Sequence, residues 1–280
     1  MMNNAELKIF NLACGESVPY YSVPQLEAIA GVKHMIATRD GGVSEGSFRS
    51  MNLSFSRGDR EEAVLENFRR ISEVMGIPED RFAFAQQTHT LNVRRVTEAD
   101  AGKGFVRLRD YYTDTDGLVT DVPGLALGVF FADCVPLLFA DPVRRAIGVS
   151  HSGWRGTAGR MGEVTVRKMT SEFGCRPQDI ICAIGPSICE SCYEIGEDVA
   201  EQFRRAFAGD VNGILRETGG GKYHLDLWEA NRRILLSAGI LPEHLTVTGI
   251  CTCCHPEQLF SHRASHGNRG NLGAFLALVP

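Results

Sequence analysis

The sequence predicts an α+β fold in which mixed β-sheets are combined with interspersed helices. Short apolar runs bounded by turn residues, at 125–131 and 135–140, are typical of buried strands. Amphipathic runs that end at glycine predict helices, but strands and helices do not follow a regular βαβ period. Because no repeat or Pro-rich linker divides the chain, we expect a single domain over residues 1–280.

The first half of the chain is predicted to be rich in strands. Residues 1–31 carry little information, and the first predicted strand spans residues 33–38. Asp59 and Glu62 form a capping pair that predicts the start of a helix, which ends at Gly76. The polar, Arg-rich segment 102–116 is expected to be a mobile surface loop. Further strands are predicted at residues 82–85, 92–96, 117–120, 125–131, 135–140 and 146–150.

The second half of the chain is predicted to add three helices. The first spans residues 161–173 and is closed by Gly174, and the second spans residues 197–207. Asp226 begins the third helix, which has Glu229 in the capping-box position and ends at Gly239. The remaining strands are predicted at residues 180–184, 245–250, 258–261 and 274–279.

Composition and charge exclude several classes of protein. The 280 residues carry a formal net charge of −5, which argues against a broad electropositive surface for nucleic acid. The N-terminal segment does not resemble a signal peptide, and no apolar stretch is long enough to cross a membrane. We therefore expect a soluble, cytoplasmic protein without nucleic-acid or membrane partners. Nine cysteines without a secretion signal favour reduced thiols and metal ligands over disulfides.

One thiol and two imidazoles are predicted to meet where strands end. Cys134 lies between two apolar runs, and His151 and His89 each follow another strand-like run. Two imidazoles and a thiolate suit a borderline-soft ion such as zinc, with a fourth position left open. The alternative from the spacing alone is a hydrogen-bonded surface histidine beside a buried apolar cysteine. Asp133 and Gln87 adjoin these residues and are predicted to orient them.

A second group of cysteines offers a competing metal site. Cys189 and Cys192 form one C-x-x-C pair, and Cys251 and Cys254 form another. The gap between the pairs is much longer than the roughly 15–20 residues of the usual zinc pattern. Loop cysteines packed as small hydrophobic residues are therefore the favoured interpretation, and a closed Cys₄ site is the alternative.

A glycine-rich loop offers candidate groups for binding an anion. Arg39 opens this loop, in which Gly41, Gly42 and Ser44 could turn backbone amides toward a phosphate. The loop has neither the Walker spacing nor a strand-to-helix GxGxxG pattern. An ordinary glycine-rich turn is therefore the alternative interpretation.

Two further arginines are candidates for the same role. Arg155 lies in a tight glycine corner near His151, where its planar guanidinium suits a phosphate or a carboxylate. An equally open interpretation is that Arg155 holds this corner through Asp133 or Asp116. Arg263 is expected to reach the pocket from the segment 261–263.

Several short motifs occur along the chain in a fixed order. They are TRDGGVS (38–44), QQTH (86–89), ADCVP (132–136), HSGWRG (151–156), IGP (184–186) with CYE (192–194), CT (251–252) and FSHR (260–263). Together they resemble the bacterial laccase-domain proteins, once called multicopper polyphenol oxidases and now described as purine nucleoside phosphorylases. The resemblance runs from about residue 34 to the C-terminus. The chain departs from the pattern at Ser152 and His262, and Cys189, Cys253 and Cys254 are not part of it.

The resemblance implies a fold, a metal and a chemistry. The fold would be similar to the catalytic domain of the cytotoxic necrotizing factor toxins, with zinc held by His89, Cys134 and His151. These three residues and Asp133 would form the catalytic group. The implied substrates are purine nucleosides and phosphate: phosphorolysis of adenosine, inosine, guanosine and methylthioadenosine, with deamination of adenosine as a further activity.

Other function classes stay open at this stage. A metal-free hydrolase or amidase would use Cys134 as its nucleophile and His151 as the base. A copper-dependent, laccase-like polyphenol oxidase is less favoured, because the chain has only eight histidines and none form a His-x-His pair. Copper is accordingly less favoured than zinc as the bound metal. A non-enzymatic metal-binding or partner-binding protein is a third class.

Overall fold

Two six-stranded β-sheets packed face to face form the centre of the chain, and helices cover their outer faces. The computed structural model describes residues 4–105 and 110–279. Within these residues the strands are β1 (Glu6–Asn11), β2 (Ser17–Ser22), β3 (Val32–Ala37), β4 (Phe82–Ala83), β5 (Val93–Arg95), β6 (Gly117–Thr120), β7 (Ala126–Phe131), β8 (Val135–Asp141), β9 (Ala146–Ser152), β10 (Ile181–Ile184), β11 (Glu194–Gly196), β12 (Leu215–Gly219), β13 (Lys222–Leu225), β14 (Leu245–Val247) and β15 (Leu272–Leu278). The helices are α1 (Pro24–Glu27), α2 (Glu61–Met75), α3 (Trp154–Ala158), α4 (Met161–Phe173), α5 (Glu197–Ala206) and α6 (Leu227–Ser237).

Both large sheets are mixed. The first has the order β1-β2-β3-β15-β7-β4, in which β4 and β7 run parallel and the other neighbours antiparallel. The second has the order β14-β10-β8-β9-β6-β5, and each of its edge strands runs parallel to its neighbour. A small third sheet, β11-β13-β12, is antiparallel. This architecture confirms the predicted α+β class with mixed sheets.

Three hydrophobic cores hold the layers of sheets and helices together. The central core lies between the large sheets and includes Leu276 of the first and Val149 of the second. The helix α2 covers the outer face of the first sheet, where Phe68 is fully buried. The helices α4, α5 and α6 cover the second sheet, with Phe203 among their buried residues. Every residue of β8 and β9 is buried, so both faces of these strands are covered, as their continuous apolar runs predict.

Most of the predicted elements are confirmed, and two predictions are wrong for a physical reason. The cap of α2 is Arg60, and Asp59 accepts the backbone N–H of that residue at 2.8 Å and the Asn52 side-chain amide at 3.0 Å rather than a helix N–H, so the predicted capping pair is wrong. The predicted strand at 258–261 is also wrong, because the Leu259 N–H bonds to the His255 carbonyl within a turn, at 2.9 Å. The hairpin β1–β2 was not predicted.

The remaining predictions concern membrane spans, the surface loop and properties of the whole protein. No helix among the described residues is long and apolar enough to span a membrane. Residues 106–109 of the predicted surface loop lie outside the described residues. The cytoplasmic location, the single domain and the similarity to the toxin domain stay predictions.

The buried side chain of His34 couples folding stability to pH. His34 lies on β3, and its Nε2 accepts the Val23 backbone N–H at 2.8 Å. Burial lowers the pKa of His34 to about 4. In the unfolded chain this pKa returns to about 6.5. As the pH falls below that value, the unfolded state takes up a proton that the folded state does not, so stability is lost.

We predict that lowering the pH from 7 to 5 destabilises the fold by about 2 kcal/mol through His34. His34→Gln keeps an acceptor for the Val23 N–H but does not titrate, so its free energy of unfolding should fall less over this interval. Urea unfolding of both proteins at both pH values measures the difference. An equal pH dependence in the two proteins would contradict the prediction.

Candidate metal site and substrate cavity

The side chains of His89, Cys134 and His151 lie together. The potential ligand atoms of the three residues are all within 4.8 Å of one another. Cys134 Sγ is 3.9 Å from His89 Nε2, and the centroids of the two imidazole rings are 4.9 Å apart. The three predicted metal ligands are therefore neighbours, and their donor set of two nitrogens and one sulfur fits zinc.

Strand pairing explains why these residues meet. Cys134 follows β7 and directly precedes β8, so it lies where the chain crosses from the first large sheet to the second. In the antiparallel pair β8–β9, Pro136 lies opposite His151, which brings the end of β9 beside Cys134. His89 lies in the loop between β4 and β5, where its φ of 64° is in the left-handed region that few non-glycine residues adopt.

The buried carboxylate of Asp116 holds both histidines. Asp116 Oδ1 lies 2.9 Å from His151 Nδ1 and accepts the His89 backbone N–H at 3.1 Å. Asp116 Oδ2 accepts the backbone N–H groups of Thr88 and Thr90, at 3.1 and 2.7 Å. Because Nδ1 of His151 is engaged by the carboxylate, Nε2 is left to bind a metal. Carboxylate–histidine pairs of this kind commonly orient zinc ligands.

The charges of the cluster favour an ionised thiol. Burial raises the pKa of the Cys134 thiol, but the nearby imidazoles of His151 and His89 outweigh burial and lower this pKa to about 6. Burial lowers the pKa of His151, whereas Cys134 and Asp116 together raise it above its usual value. The thiolate is the form of cysteine that binds metals, so these interactions prepare Cys134 for ligation.

Gly153 shows how closely the cluster is packed. A Cβ at this position would lie 2.9 Å from Cys134 Sγ and 3.0 Å from His89 Cδ2. Any side chain at residue 153 would therefore displace one of the two candidate ligands. This contact gives a steric reason for the glycine in the HSGWRG motif.

A cavity of about 620 Å³ opens beside the cluster. Its size is within the range of sites that bind small molecules. His89, Cys134 and His151 all contribute to its lining. The lining also contains six aromatic side chains, namely Phe55, Phe68, Phe84, Tyr111, Phe130 and Phe131.

Arg57 and Arg269 also line this cavity. Burial, with a smaller contribution from the positive charge of Arg57, lowers the pKa of Arg269 to about 10. Among the described residues, the hydrogen-bond partners of the two guanidinium groups include the carbonyls of Gly267 and Gly270, at 3.1 and 3.2 Å, but no carboxylate, and the buried Nε of Arg269 has no hydrogen-bond partner. Two like charges without a counter-ion favour the binding of an anion between them.

The predicted anion-binding loop makes other contacts. Arg39 donates hydrogen bonds to two backbone carbonyls outside the cavity. The Gly42 N–H donates to the Ser50 hydroxyl at 3.1 Å, and the Ser44 N–H donates to the Ser50 carbonyl at 2.9 Å. Among the described residues that line the cavity, Arg39, Gly41, Gly42 and Ser44 are absent.

Arg155 and Arg263 also lie outside the cavity lining. The exposed Arg155 guanidinium lies over the Trp154 ring, 4.2 Å from its centroid. Arg263 donates to the carbonyls of Cys192 and Glu194, at 3.1 and 2.9 Å. In the part of the chain that the structure describes, neither side chain belongs to the cavity lining.

Asp133 and Gln87 contact structural neighbours of the ligands. Asp133 accepts the Thr252 hydroxyl at 2.7 Å and the Arg263 backbone N–H at 2.6 Å. The side-chain amide of Gln87 exchanges two hydrogen bonds of 2.7 Å with the backbone of Phe130. Gln87 thereby fixes the His89 loop to β7, and Asp133 fixes the turn that carries Cys134.

Sequence reasoning missed three residues of this site. Asp116 was considered only as an alternative partner for Arg155, and it fell at the end of a predicted surface loop. The available signal was its position directly before the apolar strand β6, which pairs with β9 next to His151. Arg57 and Arg269 are distant in sequence and belong to no motif, so no comparable signal existed for them.

We predict that Asp116→Asn weakens zinc binding by roughly 10- to 100-fold, because the variant no longer offers His151 and the His89 loop an anionic acceptor. Competition with a chromophoric chelator measures the affinity, and circular dichroism checks that the variant is folded. The control is Asp114→Asn, since Asp114 accepts the Thr88 hydroxyl but does not contact either histidine. Unchanged zinc affinity in a folded Asp116→Asn protein would contradict the assignment.

Comparison with known proteins places this geometry in a family. Residues 33–279 match the family described as multi-copper polyphenol oxidoreductase laccase. A purine nucleoside phosphorylase of Deinococcus radiodurans is 40% identical over 261 residues, which are 93% of each chain. Adenosine deaminase RL5, from an unknown prokaryotic organism, is 31% identical over 87% of this chain and 93% of its own.

A solved structure has the same fold. The crystal structure of the Bacillus licheniformis hypothetical protein YfiH superposes with a TM-score of 0.89 at 34% sequence identity. The superposition covers 92% of this chain and 96% of the other. With the match over residues 33–279, the chain belongs to the multi-copper polyphenol oxidoreductase laccase family.

Proposed function

We propose that this chain is a zinc-dependent purine nucleoside phosphorylase that also deaminates adenosine. The observation that carries the proposal is the cavity, which joins the cluster of His89, Cys134 and His151 to an arginine pair and an aromatic lining. Two related proteins named as a purine nucleoside phosphorylase and an adenosine deaminase support both reactions.

Phosphate is proposed to bind at the arginine pair. In phosphorolysis a phosphate oxygen forms a bond to C1′ of the ribose while the bond from C1′ to N9 of the base breaks. The products are ribose 1-phosphate and the purine. Arg57 and Arg269 would hold the anion through the parallel N–H donors of their planar guanidinium groups. Their fixed positive charge would also favour the anion over water as the attacking group.

The aromatic lining is proposed to bind the purine. Phe130 and Tyr111 are partly exposed in the cavity, and their rings offer apolar faces to a planar base. Phe84 supports Phe130 by an edge-to-face contact, with ring centroids 4.9 Å apart. Ring contacts do not distinguish one purine from another, which agrees with the proposed range of adenosine, inosine, guanosine and methylthioadenosine.

The metal cluster is proposed to serve the reacting end of the substrate. When bound, zinc supplies a Lewis acid that polarises the group beside it. The protein residues hold this position: Asp116 fixes the imidazole of His151, and Gly153 leaves room for Cys134 and His89. Zinc is preferred to copper because the donor set contains one thiolate and two imidazoles and the fourth position is open.

The other residues predicted to bind phosphate or to take part in catalysis are not among the described residues that line the cavity. Arg39, Gly41, Gly42, Ser44, Arg155 and Arg263 stay predicted phosphate-binding residues, although they lie outside the cavity lining. The role proposed for Asp133 is to position Cys134 through the hydrogen bonds that its carboxylate makes to Thr252 and Arg263.

We predict that the zinc-loaded protein releases purine base from adenosine or inosine only when phosphate is present. The sugar product should be ribose 1-phosphate, because phosphate is the attacking group. Chromatographic separation of base, ribose and ribose 1-phosphate after incubation with and without phosphate measures the outcome.

Two controls distinguish this reaction from the alternatives. Activity should be lost with a chelator and restored by zinc. Free ribose as the sole sugar product, at a rate independent of phosphate, would overturn the phosphorylase proposal. Activity indifferent to the chelator but abolished by alkylation of Cys134 would instead support a metal-free cysteine hydrolase.

We predict that Arg57→Lys raises the KM for phosphate by about 10- to 100-fold, with a smaller effect on the KM for the nucleoside. Lysine keeps the charge but loses the second parallel hydrogen bond, and a charge-assisted hydrogen bond contributes about 1.5–3 kcal/mol. Steady-state kinetics with each substrate varied in turn measure the two constants. The control is Arg60→Lys, since Arg60 is exposed at the start of α2. A larger rise for Arg155→Lys than for Arg57→Lys would move the phosphate to the corner beside His151.

A further inference from the structure

Four cysteines outside the cluster of His89, Cys134 and His151 converge on one point of the fold. The Sγ atoms of Cys189, Cys192, Cys251 and Cys254 all lie within 4.8 Å of one another. Cys254 Sγ is 3.5 Å from Cys192 Sγ and 3.9 Å from Cys189 Sγ. We name these four residues the Cys₄ cluster. Their convergence favours the alternative of a closed Cys₄ site over loop cysteines packed as small hydrophobic residues.

Backbone pairing brings the two C-x-x-C segments together. Ser187 and Cys251 form an isolated parallel bridge, in which the Ser187 N–H donates to the Ile250 carbonyl at 3.1 Å. The Thr252 N–H donates in return to the Ser187 carbonyl at 3.2 Å. The long stretch of chain between the two pairs forms the third sheet, α5 and α6. It then brings Cys251 back beside Ser187.

The spacing of the sulfurs fits one tetrahedral ion. Four thiolates at the usual zinc–sulfur distance of about 2.3 Å stand about 3.8 Å from one another. The two measured Sγ–Sγ distances, 3.5 and 3.9 Å, lie on either side of this value. A disulfide requires about 2.05 Å between its sulfurs and would engage only two of the four residues. In an iron–sulfur cluster, cysteine sulfurs that bind different iron atoms lie further apart than this.

Hydrogen bonds to sulfur give independent support for a thiolate site. The Cys254 N–H donates to Cys251 Sγ at 3.4 Å, and the Cys189 N–H donates to the same sulfur at 3.3 Å. Amide donors favour the thiolate over the thiol and commonly support metal-bound sulfur. The first of these bonds also closes the turn that directs Cys251 and Cys254 to the same side.

We propose that the Cys₄ cluster binds a second zinc ion in a closed, structural site. On binding, each of the four thiols loses its proton to solvent and gives its sulfur lone pair to the ion, so the site gains a net negative charge. Arg263 donates to the carbonyl of Cys192 at 3.1 Å and places a positive charge beside that segment. Four protein ligands leave no open position, so this zinc does not bind substrate.

The second zinc would hold the turn that carries Cys134. Thr252 lies inside the C-x-x-C turn of Cys251, and its hydroxyl donates to the Asp133 carboxylate at 2.7 Å. On the other segment, the Ile188 N–H donates to the Asp133 carbonyl at 3.0 Å. Each of the two segments joined by the Cys₄ cluster therefore donates a hydrogen bond to Asp133, the residue directly before Cys134.

Metal analysis of the full chain tests the proposal. Protein expressed with zinc and purified without a chelator should contain about two zinc ions per chain. Cys134→Ala and Cys192→Ser/Cys254→Ser should each lose about one ion. The matched control is Cys14→Ser/Cys253→Ser, which also removes two cysteines but none of the Cys₄ cluster, and it should keep full zinc.

The outcomes separate this proposal from the proposed function. Zinc that is retained by Cys134→Ala and lost from Cys192→Ser/Cys254→Ser supports the Cys₄ site, even if the wild-type protein has no phosphorylase activity. Zinc lost entirely from Cys134→Ala would overturn the Cys₄ site and leave the function untouched. Iron in the purified protein, or an intact mass that lacks two hydrogen atoms through a disulfide, would also overturn it.

A second measurement covers the case in which the double variant does not fold. Zinc X-ray absorption of Cys134→Ala reports the ligands of the remaining ion without any change in the Cys₄ cluster. The expected spectrum has four sulfur neighbours at about 2.3 Å. A first shell dominated by nitrogen or oxygen would overturn the proposal.

Discussion

The buried charge of Asp116 is the interaction on which the site depends. Its carboxylate accepts hydrogen bonds from three successive amides, at Thr88, His89 and Thr90, and pairs with the imidazole of His151. A buried carboxylate is tolerated only when such donors replace water. The same donors lie on the elements that present the two histidines, so the requirement to solvate one charge also fixes the position of both rings. The pairing of β8 with β9 then brings Cys134 beside the two rings.

The sequence predicted the parts of this protein that depend on local patterns. Continuous apolar runs identified β8 and β9, because strands buried on both faces need no alternation. Short motifs identified His89, Cys134 and His151 as a group. The contribution of Asp116 could not be found in this way, since it arises from the pairing of β6 with β9. The closed Cys₄ site was only the alternative interpretation of the two C-x-x-C pairs for the same reason: a bridge between Ser187 and Cys251 closes a gap that spacing rules treat as too long.

The arginines of the cavity are held in place without being neutralised. Arg57 donates to the Gly267 carbonyl at 3.1 Å, and Arg269 donates to the Gly270 carbonyl at 3.2 Å. A carbonyl fixes the direction of a guanidinium but carries no formal charge, so the positive charge remains available to a ligand. In a chain with a net charge of −5, this arrangement provides a local attraction for anions. The predicted Arg39 has similar carbonyl partners but is not among the described residues that line the cavity.

The position of β15 sets the order in which the protein is completed during its synthesis. This strand lies between β3 and β7, with Phe275 opposite both Met35 and Gly128, although β3 precedes it by most of the chain and β7 by about half. Until residues 272–278 leave the ribosome, β3 and β7 each have an unpaired edge, and one wall of the central core is missing. Exposed edges of apolar strands are sites of aggregation. The nascent chain therefore carries both edges through about half of its translation, which makes protection by chaperones more important here than in folds whose sheets grow in sequence order.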